Sequence, residues 1–324
     1  MVQRTSPLGG LRRLIEMLIE GFATLNRRLW ILVIPIGLDL CLWLGPRIIP
    51  LHLAEALRPA VSSVSQVDPA WRDQLLGLLK DWGEHANLAN LLSGYLVPLL
   101  LPRLATPGLP GYAPTSWAPA AVWAAIPVPL LALVLGLFLW SLYMVPLADL
   151  VRDTGEGGRA MLRRVFQTWW RMVRLGGVAL FAILLLLLPA GFLSRVGGLV
   201  SPSLATIILF LGVGFFLWVI FYLYFTPSAV LFSAVGPLRA VYYSIRVVRS
   251  NLWPSVGFIL LVSIIRIGTV SLWQRLAVYP LGVLIGLLVN AYVTGGLATA
   301  GLIFFRERLR VWLAGRTRPA GRGS

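Results

Sequence analysis

Lysine is all but missing: of the 28 basic residues, only Lys80 is not arginine. Cysteine occurs once, at Cys41, inside an apolar run, and histidine twice, at His52 and His85. One thiol excludes an intramolecular disulfide framework and a cysteine metal site. Two histidines without the HxxxH or HExxH spacing give zinc chemistry little foundation. Their neighbours Asp81, Glu84 and His85 are read as the polar face of an amphipathic helix. Charge as a whole is scarce, at 12% of residues, about half the share of a soluble domain. There is no P-loop, no Gly-x-Gly-x-x-Gly after a strand and no serine nucleophile elbow. No paired carboxylates lie inside an apolar run either. The reading therefore carries no enzyme, no cofactor and no metal.

What fills the space is apolar: 58% of the 324 residues are hydrophobic, and the mean hydropathy is +0.83. Several uncharged runs are long enough to cross a hydrocarbon core of about 30 Å. The fold class expected is an all-α integral membrane protein with six spans, at about 29–45, 120–147, 175–193, 204–226, 254–273 and 281–305. Trp30 and Trp43 bracket the first as interface anchors. The segment before it reads as retained, because no small-residue cleavage site comes after the apolar run. The whole chain is expected to be one membrane domain. Within it, 46–119 stands apart as an outer helical insertion, with five basic and five acidic residues and both histidines. There 71–85 is amphipathic, and 86–102 is an uncharged run interrupted by Pro98, read as interfacial or re-entrant in preference to a seventh span. Residues 311–324 read as a disordered basic tail.

Three basic amphipathic segments precede spans. In 8–28, Leu11, Leu14, Ile15, Leu18, Phe22 and Leu25 share a face, and Arg12, Arg13, Glu16, Glu20, Arg27 and Arg28 fall mostly on the other, with Arg12 and Glu16 at a favourable i,i+4 spacing. In 159–174, Arg159, Arg163, Arg171 and Arg174 form a stripe, with Leu162, Val165, Phe166, Trp169 and Val173 toward lipid. In 238–252, Arg239 and Arg246 oppose Val241, Ile245, Val248 and Leu252, and Arg249 adds a further charge. These arginines make an expected surface for anionic lipid headgroups. With six spans, 20 of the 28 basic residues fall on one side, which the positive-inside rule assigns to the cytoplasm together with both termini. A net charge of +16 beside apolar spans, with no compact basic domain, argues against nucleic acid.

The units look repeated. Tyr143-x-x-Pro146-x-Ala148-x-Leu150 followed by Arg159-Ala160 returns as Tyr224-x-x-Pro227-x-Ala229-x-Leu231 followed by Arg239-Ala240, offset by 81 and 80 residues. Asn26-Arg27-Arg28-Leu29-Trp30 likewise parallels Ser250-Asn251-Leu252-Trp253. Three units of this kind imply pseudo-symmetry about the membrane normal. Over residues 224–262, with a weaker echo at 143–180, the chain resembles the YciC-like six-span prokaryotic membrane proteins. It also resembles the related membrane domain attached to some glycerophosphodiester phosphodiesterases. The resemblance implies architecture and a prokaryotic cytoplasmic membrane. The phosphodiesterase domain is absent, so no catalytic residue carries over.

Asp39 and Arg266 are charges inside spans, where insertion costs roughly 2.5–3.5 kcal/mol each. Asp39 lies 9 residues past Trp30 and Arg266 13 past Trp253, an axial offset of about 6 Å that a long arginine can cover. They are expected to pair, as a packing device or as part of a substrate or proton site. Asn290 and Thr294, beside Gly295-Gly296, point to close helix packing first and to a pore lining second. The function expected is non-enzymatic, an organising or accessory role engaging anionic lipid or a membrane partner complex. The alternative is a transporter or channel using the Asp39–Arg266 pair.

Overall fold

A computed structural model describes residues 7–62, 69–93, 115–119, 127–154, 157–233 and 235–317. The chain is almost wholly helical. In order it forms α1 (Pro7–Leu25), a 3-10 stretch (Asn26–Leu32) kinked at Arg28, α2 (Val33–Leu44), α3 (Leu51–Ser62) and α4 (Pro69–His85). A second 3-10 stretch (Leu88–Ser93) comes next. Then come α5 (Pro127–Arg152), α6 (Gly158–Val200), α7 (Pro202–Leu223), α8 (Thr226–Ser233), α9 (Pro237–Ser250), α10 (Leu252–Leu276) and α11 (Pro280–Thr317). Two-residue strands, β1 (Arg47–Ile48) and β2 (Ser116–Trp117), pair in parallel.

Four helical segments are long and apolar enough to cross a membrane: Pro127–Arg152, Phe210–Ser233, Leu252–Leu276 and Pro280–Ala314. They mark a membrane-embedded helical protein, and they fall on four of the six expected spans. The expected span at 29–45 is instead four 3-10 residues and the twelve of α2. At about 2.0 and 1.5 Å per residue these reach about 26 Å, just short of a hydrocarbon core. The expected span at 175–193 is the distal part of α6, where the side chains of 184 and 186–192 lie outside the described residues. Two further expectations change. No break separates the basic segment 159–174 from the apolar run after it, because α6 continues through both over 43 residues. The tail expected to be disordered from 311 is helical to Thr317, and 318–324 lie outside the described residues. Of the run 86–102, residues 94–102 lie outside them as well.

The chain forms two compact units. The first takes the described residues of 1–28, 144–263 and 296–324; the second takes those of 29–143 and 264–295. In the first unit the core is aromatic. Phe225 stacks on Phe304 at 5.3 Å and on Phe305 at 6.0 Å, and Phe258 stacks on Phe304 at 4.8 Å. Glycine lets α1 lie directly on α11: a Cβ at Gly21 would sit 2.7 Å from the Cβ and backbone N of Ala300, and one at Gly296 would enter the Phe22 ring. So α1 packs on protein. Leu14, Met17, Leu18 and Leu25 are buried, while Ile19 on its other side is 63% exposed and Ile15, expected on the apolar face, is exposed with it.

In the second unit α3 packs on α4, where a Cβ at Gly83 would meet that of Ala54. Asn87 Oδ1 accepts from the amides of Ile48 and Ala89, both at 3.0 Å, fixing β1 against the second 3-10 stretch. The core is Trp273, Ala277, Val283 and Leu287, joined by Leu40, Trp43 and Val270.

Candidate functional site

The end of α5 is built by a Schellman turn. The Thr154 amide donates to the Asp149 carbonyl and the Asp153 amide to that of Leu150, both at 3.2 Å. Asp153 takes the left-handed position (φ 59), which asparagine and aspartate tolerate better than other non-glycine residues. Helix α5 continues through Pro146 to this turn, so Asp149 is a helical residue facing inward, 5% exposed. The turn delivers the chain into α6, whose Arg164 Nη2 donates to Asp149 Oδ2 at 2.8 Å. Arg152 Nη1 lies 3.9 Å from the other carboxylate oxygen. Arg152 also donates to the Leu231 carbonyl and lies over the Phe232 ring, 5.1 Å from its centre. One turn further along α6, Gln167, Thr168 and Arg171 complete the wall of a cavity of about 90 Å³. Two guanidiniums thus flank one carboxylate, and Arg171 lines the same cavity. Such a set binds oxyanions, since arginine's fork matches carboxylate and phosphate oxygens two at a time.

Beyond this cleft, α6 carries three distinct faces. Val165, Thr168 and Met172 are buried against protein; Leu162, Phe166 and Trp170 are exposed; Arg159, Arg163 and Arg174 are exposed beside them. An apolar strip flanked by arginines is the pattern of a helix at a membrane–water boundary. Val165, expected toward lipid, is buried instead. Helix α9 shows the same correction. Its buried face is Ala240, Ser244, Val247 and Val248, while Leu238 is 70% exposed and Ile245 lies open as well. Val248, also expected toward lipid, packs inward because Ser244, whose hydroxyl donates to the Tyr222 carbonyl at 2.7 Å, turns that face onto its neighbours. Arg239, Arg246 and Arg249 are exposed, with Arg246 over the Tyr242 ring at 5.1 Å. Arg249 rims an apolar groove of about 410 Å³ lined by Trp218, Tyr222 and Ile245.

On α1 the expected Arg12–Glu16 pair forms, at 3.0 Å. Arg13 pairs with Glu307 of α11, Arg27 lies 3.9 Å from Asp153, and Arg28 is the exposed residue at the kink. All eleven expected lipid-facing arginines belong to the first unit.

Asp39 and Arg266 belong to the second. Asp39 is 1% exposed, and Arg266 is half-buried with its Nε shut off from solvent. Asn290 is buried in the same unit, and so is Thr294, whose hydroxyl donates back to the Asn290 carbonyl. His52 pairs with Glu55 and His85 with Asp81, each at 3.1 Å on its own helix. No group of three metal-ligating side chains comes together among the described residues.

Asp149, Arg152 and Arg164 are not singled out by sequence. Their i,i+3 spacing at 149 and 152 is a usable signal, but the segment reads as a polar linker. Neither a family model, nor a curated protein, nor a solved structure matches the chain.

Proposed function

We propose that this is a non-catalytic, multi-pass membrane protein with an organising or accessory role, engaging anionic lipid at the cytoplasmic face or a membrane partner complex. The observation that carries the reading is the surface of α6, where exposed Leu162, Phe166 and Trp170 run beside exposed Arg159, Arg163 and Arg174. Apolar side chains entering the acyl boundary and guanidiniums at headgroup level match an anionic leaflet and no polar ligand. The grouping of the arginines of 1–28, 149–174, 236–252 and 306–316 in one compact unit supports placing them on one membrane side. The six-span topology, with both termini in the cytoplasm, rests on that charge distribution. The resemblance to YciC-like proteins adds architecture and a prokaryotic membrane.

Native mass spectrometry of the full chain, released gently from its own membrane, tests the reading. Anionic lipid retained in preference to zwitterionic lipid, or a stoichiometric partner protein, is expected. Retention that ignores headgroup charge, with no partner, sinks it. Transport is the second reading, and what favours it is Asp39, a carboxylate buried on an otherwise apolar helix.

A further inference from the structure

We infer that the groove between α7 and α9 holds one phospholipid, with an acyl chain on its apolar wall and an anionic headgroup on Arg249. The groove, of about 410 Å³, is lined by Trp218, Val219, Tyr222 and Leu223 of α7 and by Ile245 and Arg249 of α9. That volume lies within the range of about 300–1,000 Å³ typical of ligand clefts. One hydrogen bond seats the two helices. The Tyr222 carbonyl stands in the last turn of α7, where helix carbonyls take donors from outside, and accepts from the Ser244 hydroxyl at 2.7 Å. Just past Ser244, Ile245 and Arg249 lie one turn apart and so share a side of α9. Trp218 and Tyr222 are likewise one turn apart on α7, and their rings meet edge to face at 4.7 Å.

Water suits this groove poorly, because an ordered water needs about two to four polar partners and most of the lining is apolar. Trp218, 58% exposed, stands on the segment Phe210–Ser233, which is long and apolar enough to cross a membrane. The wall is therefore continuous with a surface made for acyl chains. The charge at its rim is uncancelled. Exposed Arg249 makes no ion pair, hydrogen bond or ring contact among the described residues. Between Glu156 and Glu307 the chain has no aspartate or glutamate, and Glu307 is paired with Arg13. Arg246, one turn before Arg249, is exposed as well, over the Tyr242 ring. An anion from outside the chain fits that deficit, and arginine's fork matches phosphate oxygens. An anionic phospholipid joins such a group to a chain of the kind the groove accepts.

The lipid ligand rests on the reading above that these arginines meet an anionic leaflet, and the groove adds one defined site to that surface. The test titrates the full chain in detergent with phosphatidylglycerol and, separately, with phosphatidylcholine, counting bound lipids by native mass spectrometry. One phosphatidylglycerol should bind more tightly than those that follow, and phosphatidylcholine should show no such first step. Arg249→Gln should weaken that step about tenfold or more, the worth of one hydrogen bond to a charged group. Arg275→Gln removes the same charge from an exposed position on α10 and should leave the step unchanged. Ile245→Trp puts a ring in the groove while keeping Arg249, and should abolish the step; Ile245 is exposed, so the fold has room for the larger side chain.

Preference for phosphatidylglycerol with no first step set apart overturns the groove site and leaves the broader lipid-surface reading standing. So does a first step that ignores either Arg249→Gln or Ile245→Trp, or one that falls equally with Arg275→Gln. No preference for phosphatidylglycerol overturns both. Dimers that Ile245→Trp abolishes, with lipid binding unchanged, give the groove to a second copy of this chain and overturn the lipid.

Discussion

Replacing Gly21 by alanine asks whether α1 is a helix docked on protein or one lying free at the membrane surface, and the two cases differ in sign. Alanine in place of glycine in a helix interior is worth about 0.8–1.0 kcal/mol of stabilisation when nothing touches the new methyl. At Gly21 that methyl would sit 2.7 Å from the Cβ and backbone N of Ala300 and 2.8 Å from the Gly296 carbonyl oxygen. Carbon atoms prefer about 3.5–4.0 Å, and two of these three neighbours are backbone that no rotamer change can move. Helix α1 must therefore lift from α11, at an overpacking cost of about 1–3 kcal/mol. The net is a loss of up to about 2 kcal/mol. At roughly 2 °C per kcal/mol for a chain of this size, Tm falls by up to about 4 °C.

Gly177 of α6 supplies the control, since a Cβ there meets nothing within 4 Å. Gly177→Ala should raise Tm by about 2 °C. Tryptophan fluorescence during heating in one detergent measures both variants. A rise for Gly21→Ala matching that of Gly177→Ala would refute the docked arrangement of α1.

Arg164→Ala should cost about 1.5–3 kcal/mol, the worth of its hydrogen bond to the Asp149 carboxylate, which keeps Arg152 at 3.9 Å, and adding Asp149→Asn should recover part of that; denaturant unfolding of the single and double variants measures the coupling. Reversing Asp39 or Arg266 alone should deplete folded protein in the membrane, and reversing both should restore more than either single change if the two interact; equal depletion in all three argues against pairing. Cys41, exposed two residues from buried Asp39, should react with a lipid-soluble maleimide and resist a charged, impermeant thiol reagent. Rapid labelling by the charged reagent would instead mean water beside Asp39, and would move the weight to transport.

The apolar runs marked four helices long and apolar enough to cross a membrane, because a stretch of uncharged residues long enough for the bilayer leaves little else to form. What those runs could not say is which apolar side chains face protein. Lipid tails are as apolar as leucine, so Val165 and Val248 carry the same periodicity whether they face lipid or core. Small residues made the difference: Ala240 and Ser244 on α9, and Gly21 on α1, allow the close approach that decides the buried face.

Breaks were legible where a side chain makes them. Asn251 ends α9 by donating from Nδ2 to the Val247 carbonyl at 3.2 Å, which satisfies a carbonyl at the helix end. Arg171, 80 residues earlier on α6, is a good helix former, and the helix continues past it. The Asp149 cluster stayed hidden for a related reason. Pro146 reads as the exit of a span, yet proline is tolerated inside membrane helices, and α5 carries on to Arg152. That continuation turns Asp149 from a linker residue into an inward-facing one.

The continuity of α6 also has a mechanical side. Residues 158–188 contain no proline, a stretch of about 46 Å at about 1.5 Å per residue. Its near end carries Arg159 and Arg163, and the same rod holds the long apolar run beyond Arg174. Such a rod is a lever. Whatever pulls the arginines sideways, a denser patch of negative headgroups or a bound protein, swings the far end unless the helix bends. Where α9 and α10 are separated by a break at Asn251, α6 runs on without one, and only a bend at its Gly176-Gly177 pair would spare the far end.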